Sequence, residues 1–127
     1  MNKTVYIRRE VVNSVLTYAI ICHPKEGILL LKGRTDKNRI MIDDVVIPPL
    51  STHGNSFSSF PLNMLPIDFS IIGTAHSHPS GVLKPSIEDL NNFYGQITVI
   101  TSYPYESEKY LAVFTKDGMY INYKMFE

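Results

Sequence analysis

The chain has 127 residues, and its 12 lysines and arginines balance 12 aspartates and glutamates. That length suits one domain, residues 1–127, able to bury a core without staples, and 44% hydrophobic against 19% charged residues excludes a disordered tail. Balanced charge builds no basic field, so nucleic acid is not an expected partner, and the single cysteine, Cys22, excludes an internal disulfide and a multi-cysteine zinc cluster. The N-terminus, MNKTVYIRREVV, lacks the apolar core of a signal peptide, and no apolar run reaches the roughly 20 residues of a membrane span. The expected setting is soluble and cytoplasmic, with no membrane partner.

Val12, Val15, Leu16, Ala19 and Ile20 recur three or four apart and predict a core-facing helix from Arg8 to about His23, ended by Pro24. The apolar run 28–31, between Gly27 and Gly33, predicts a strand buried on both faces. Residues 34–39 predict a turn, and 40–47 a second strand stopped by Pro48-Pro49. Residues 51–66 are serine-rich yet carry Phe57, Phe60, Leu62 and Met64, which predicts a packed surface loop with one short strand over 56–60. A third strand is expected over 69–76 and a short helix from Ser86 to about Tyr94. Three more strands follow, over 96–101, 110–115 and 119–124, with Asp117-Gly118 marking a hairpin. The expected fold class is α/β (mixed α+β), a central mixed β-sheet flanked by helices.

Chemistry concentrates in GTAHSHPSGVLKPSIEDL, residues 73–90. Strand side chains alternate, so His76 and His78 point to one face, while small Gly73, Ala75 and Ser77 on the other let a helix pack close behind. Pro79, Gly81 and Pro85 make 79–85 a turning segment that leads into a helix start at Ser86. If the chain folds back there, Asp89 faces the strand end, and two imidazoles and a carboxylate converge on a point. Three protein ligands with a fourth position open is the catalytic rather than the structural zinc arrangement. Bland alternatives stay open on local chemistry alone. Two such histidines serve equally as hydrogen-bonded surface residues, and Ser86-Ile87-Glu88-Asp89 is close to a capping box. His23 and His53 read as structural or surface residues. A two-histidine, one-carboxylate iron oxygenase fits poorly in ligand order and fold. A cytidine-type zinc deaminase would need a P-C-x-x-C pair.

His76-Ser77-His78-Pro79, then Ser86 after the seven residues 79–85, then Asp89 three further on, resemble the H-x-H-x(7)-S-x-x-D signature of the JAMM/MPN-domain zinc metalloproteases. The resemblance implies one Zn2+ on His76, His78 and Asp89, and a Ser86 hydroxyl that stabilises an oxyanion. It also implies an upstream glutamate that works on the metal's water. Pro24-Lys25-Glu26-Gly27, followed by an apolar run that ends at Gly33, is similar to the family's pattern around that glutamate and points to Glu26. Local chemistry does not choose it, and Glu10 and Glu88 stay as alternatives. The likeness covers nearly the whole chain and implies an MPN/JAMM (cytidine-deaminase-like) core. Residues 64–70 look most like small stand-alone archaeal members. The implied activity is a deubiquitinase-like isopeptidase that hydrolyses the bond after the C-terminus of a ubiquitin-like modifier or sulfur-carrier protein. An extended tail of that kind would add to an exposed strand edge, expected at 40–47 or 56–60. The alternative is a RadC-like or scaffold MPN domain that binds without proteolysis.

Overall fold

Thr4–Arg8 alternates, with Val5 and Ile7 inward and fully buried, and forms strand β1. In the computed structural model, which describes residues 2–48 and 70–127, β1 runs without a loop into helix α1, Arg9–Cys22. The sequence predicts α1 but not β1. A five-residue strand fused directly to a helix leaves no turn residue to mark the boundary. α1 buries Val11, Val12, Val15, Leu16 and Ala19, each of the larger ones contributing about 1.5–3 kcal/mol. Ile20, expected in that stripe, is 55% exposed.

β2 (Ile28–Thr35) and β3 (Arg39–Val46) form a hairpin. The first four residues of β2 are buried, as the apolar run predicts, but the strand continues past Gly33 through a bulge. A Cβ at Gly33 would lie 1.8 Å from the Met41 carbonyl oxygen, so only glycine lets the strands close there. The turn is tighter than expected, because the Asp36 carboxylate accepts the N–H groups of Asn38 and Arg39 at 2.8 Å each.

The remaining elements are β4 (Ile71–His78), α2 (Ile87–Asn91), β5 (Ile97–Ser102), β6 (Leu111–Phe114), β7 (Tyr120–Ile121) and β8 (Tyr123–Phe126). α2 is shorter than its sequence suggests, since Asn92 caps it and Gly95 follows at φ 82°. The last predicted strand divides in two. β7 completes the hairpin with β6 around Gly118, whereas β8 crosses to the far edge and runs parallel to β1.

Among the described residues the sheet has eight strands in the order β7-β6-β5-β4-β2-β3-β1-β8. It is mixed: β1 pairs in parallel with β3 and β8, as does β4 with β5, and the other pairings are antiparallel. α1 packs on the face that presents Leu29, Leu31, Ala75, Val99 and Val113. Ile100, Ala112 and Phe114, with Leu83 against them, line the other face. β3, one of the two expected edges, is interior over only part of its length. Residues 39–42 lie between β1 and β2, and beyond Ile42 the strand has β2 alone as partner among the described residues. The alternative edge, 56–60, and His53 lie outside the described residues. No described helix is long and apolar enough to cross a membrane.

Candidate metal centre

Alternation along β4 puts Thr74, His76 and His78 on the face away from α1, and the register confirms it: His76 sits beside Ile28 and Ile100. Ala75 and Ser77 face α1, where Val15, Tyr18 and Ala19 pack behind the histidines. Gly73 allows the close β4–β5 approach, since a Cβ there would lie 2.2 Å from the Ile97 carbonyl oxygen.

After His78 the chain turns back at Gly81 (φ 84°), whose N–H donates to the His78 carbonyl at 3.1 Å. Ser86 then caps α2. Its Oγ accepts the Asp89 N–H at 3.0 Å, and Asp89 Oδ2 accepts the Ser86 N–H at 2.9 Å, a complete capping box. The two readings of Asp89 are therefore not exclusive. The same carboxylate accepts from His76 Nδ1 through Oδ1 at 3.1 Å and from His78 Nε2 through Oδ2 at 3.0 Å. All three side chains are buried.

Their outer partners determine the protons. The Val82 carbonyl can only accept, so His78 Nδ1–H donates to it at 2.9 Å. With Nδ1 protonated, His78 Nε2 can face a carboxylate oxygen only with a cation between them, a proton in the metal-free chain. Burial lowers the His78 pKa, but Asp89 and the Val82 carbonyl outweigh it and hold the imidazole above its ordinary value. His76 Nε2 lies 2.9 Å from the Thr74 hydroxyl, while its Nδ1 faces Asp89. Complete burial holds its pKa below the ordinary value, despite Asp89. Burial alone would raise the Asp89 carboxyl, yet the two imidazoles and the Ser86 N–H hold it far below the usual carboxylate range.

The expectation of convergence on one point needs correction. Among the described residues no three such side chains form a ready cage. The carboxylate instead links the imidazoles in a chain, one oxygen to each. Two imidazoles and a carboxylate nevertheless match, in type, the donors a tetrahedral divalent ion takes. Metal–donor bonds of about 2.0–2.2 Å put tetrahedral donors about 3.3–3.6 Å apart, beyond the 3.0 and 3.1 Å seen here between each imidazole and its own carboxylate oxygen. His78 Nδ1 on a backbone carbonyl leaves Nε2 as the ligand atom, the usual support for a metal-bound imidazole.

The cluster opens on a cleft of about 950 Å3 lined by Glu26, His78, Val82, Ser86 and Glu88, among others. Glu26 and Ser86 therefore share one cavity with His78. Burial pushes the Glu26 carboxyl above the ordinary range; His78 opposes this, and Asp89 and Glu88 add to it. Glu88 lines the same cleft from its exposed position on α2. Glu10 lies in a separate groove on α1 with Asn13, Thr17 and Ile21 and drops out as an alternative. Thr74 and the Val82 carbonyl were not foreseen. Thr74 was findable, being two residues before His76 and so on its face, but a backbone carbonyl leaves no mark in a sequence.

The profile that describes prokaryotic homologs of the JAB domain matches residues 8–120. This chain belongs to that family. A probable metalloprotease of Haloferax volcanii is 36% identical to this JAB chain over 98 residues, which cover 71% of the chain and 60% of that relative. A JAB1/MPN domain protein from Archaeoglobus fulgidus superposes with a TM-score of 0.71 at 29% identity, covering 98% of this chain and 99% of its own. A structure described as JAMM, a metalloprotease-like zinc site in the proteasome and signalosome, gives 0.69 at 26% identity over 100% of both chains. A solution structure from Desulfitobacterium hafniense, at 21% identity and a TM-score of 0.68 over 98% of this chain and 94% of its own, shares the fold. The mixed α+β architecture expected of a JAB chain is the one found.

Proposed function

We propose that this JAB-family chain is a zinc-dependent isopeptidase or peptidase that hydrolyses the bond after the C-terminus of a ubiquitin-like modifier or sulfur-carrier protein. In this reading His76, His78 and Asp89 hold one Zn2+, Glu26 is the general base and Ser86 an oxyanion donor. One observation carries it: His78, one of two imidazoles that share the buried Asp89 carboxylate, lines the cleft that also holds Glu26 and Ser86. The names of two relatives, a probable metalloprotease and a metalloprotease-like zinc site, support the metal and the reaction class.

Bound there, the ion supplies Lewis acidity that acidifies water and polarises a carbonyl. Glu26 takes the proton of the attacking water on its carboxylate. Burial raises its pKa above the ordinary value, which strengthens the carboxylate as a proton acceptor. Ser86 Oγ already accepts from the Asp89 N–H, so its own proton is available to the oxygen of the tetrahedral intermediate. A donor so placed is worth about 3 kcal/mol. Glu26 then returns the proton to the leaving nitrogen, which cannot depart as an anion. No covalent enzyme intermediate forms, and Cys22 has no part.

The test is cleavage of ubiquitin-like conjugates, linear fusions and sulfur-carrier fusions by wild type and Glu26→Gln, with zinc content measured on both. Glu26→Gln is expected to keep one zinc and lose about 10²–10⁴-fold in turnover. A fully active Glu26→Gln would remove Glu26 from the mechanism. Wild type that binds these proteins but cuts none would make the chain a binding module.

A further inference from the structure

The segment Pro24-Lys25-Glu26 hangs between two anchors, one on the strand that carries the histidines and one at the end of α1. At one end, Gly27 N–H donates to Ser77 Oγ at 2.7 Å, and the Gly27 carbonyl accepts the Ser77 N–H at 3.1 Å. At the other end stands His23, which ends α1 with its N–H on the Ala19 carbonyl at 3.0 Å. Its ring stacks on Tyr103 (centroids 4.7 Å apart, planes at 24°) and meets the edge of Tyr105 (5.6 Å, 68°). Nδ1 lies 3.0 Å from the Tyr105 hydroxyl. The two tyrosines also pack edge to face at 5.8 Å.

This aromatic group is tied back to the metal-site strand, since the Tyr103 N–H donates to the His78 carbonyl at 3.1 Å. Tyr105 is buried at φ 60°, a left-handed conformation unfavourable for a bulky residue. Such a conformation persists where its surroundings hold it, and it gathers at functional sites. None of these residues has a part in the chemistry above.

We propose that His23 and Tyr105 form a clamp that positions Glu26: together with Ser77 they set where the Glu26 carboxyl stands relative to His78. The proposal rests on Glu26 as the general base. His23 and Tyr105 are positioning residues, acting through the backbone of 24–26. With the clamp intact, the three-residue span between fixed points leaves the carboxyl little freedom to drift. A displacement of about 1 Å at a reacting group costs on the order of a hundredfold in rate.

The test compares His23→Leu, His23→Asn and Tyr105→Phe with wild type. Leucine removes the ring nitrogen, asparagine restores a polar atom near Nδ1, and phenylalanine removes the hydroxyl but keeps the ring, so folding survives. On zinc-loaded protein, His23→Leu and Tyr105→Phe are expected to lower kcat about tenfold or more with KM and zinc content unchanged, and His23→Asn to recover most of it. On zinc-free protein, hydrogen exchange of the Lys25 and Gly27 amides, which donate to the Cys22 carbonyl and Ser77 Oγ, is expected to rise selectively in His23→Leu and Tyr105→Phe. Unchanged kcat in those two variants overturns the clamp, as does a uniform rise in exchange with a lowered Tm, the mark of a merely structural role. An active Glu26→Gln sinks the parent reading. An inactive Glu26→Gln beside wild-type-like His23→Leu and Tyr105→Phe sinks the clamp alone.

Discussion

Asp89 carries several tasks at once: one carboxylate caps a helix and meets both imidazoles, one through each oxygen. Such a group works only ionised, which is why its pKa is held so low although it is buried. Glu26 is its opposite, a carboxyl that burial makes reluctant to ionise. Its folded pKa lies above its unfolded one. The stability it contributes is therefore complete below the unfolded pKa and is lost as pH rises through the folded one. Glutamine in its place has no charge to desolvate. In zinc-free protein Glu26→Gln should match the wild-type Tm below about pH 4 and exceed it at pH 7. The gap should open across the carboxylate range while activity is lost, a trade of stability for function. Calorimetry across that range checks it, and a gap that does not change with pH would remove the strain assigned to Glu26.

At the scale of elements, β4 and the one-turn helix α2 make the site together, and neither would without the turn between them. β4 holds both histidines and is locked to β5 because Gly73 lets the Ile97 carbonyl approach. A methyl group at that position meets backbone, which cannot give as a flexible side chain would. Gly73→Ala is expected to lose about 3 kcal/mol in urea unfolding, shifting the midpoint without changing the slope, and to weaken zinc binding as β4 is displaced. A change under about 0.5 kcal/mol, ordinary for an unconstrained site, would mean that the approach relaxes freely. Much of this element pair was legible in advance. Strand alternation made His76 and His78 a same-face pair, and the polar residues that open α2 marked its start, because both signals lie within a few residues. The end of α2 was overestimated, since Asn91, Asn92 and Gly95 stop it sooner than its apolar pattern suggests.

Across the whole molecule, the two ends of the chain close the sheet at one edge. β8 lies parallel to β1, Arg8 donates to the Glu127 carbonyl at 2.7 Å and stacks over Phe126 at 4.8 Å, and Arg9 pairs with Glu127 at 2.8 Å. The charge pairs are exposed and add little; the strand pairing and the half-buried Tyr123 and Met125 matter more. Deleting residues 123–127 is expected to cost at least about 2 kcal/mol and to bare β1 as an edge prone to pair with other chains. Calorimetry and sedimentation check this, and an equally stable, monomeric truncation would show that β8 is dispensable. The sequence by itself determined the fold class and the same-face histidines, and the family signature singled out Ser86 and Asp89 as candidates, because each rests on short-range periodicity or fixed spacing. Only the tertiary structure decided that Asp89 is helix cap and imidazole partner at once, that Glu10 stands apart from the cleft, that β3 is interior over residues 39–42, and that β1 and β8 meet. Those outcomes depend on contacts between distant segments, and no local pattern records which distant segment arrives.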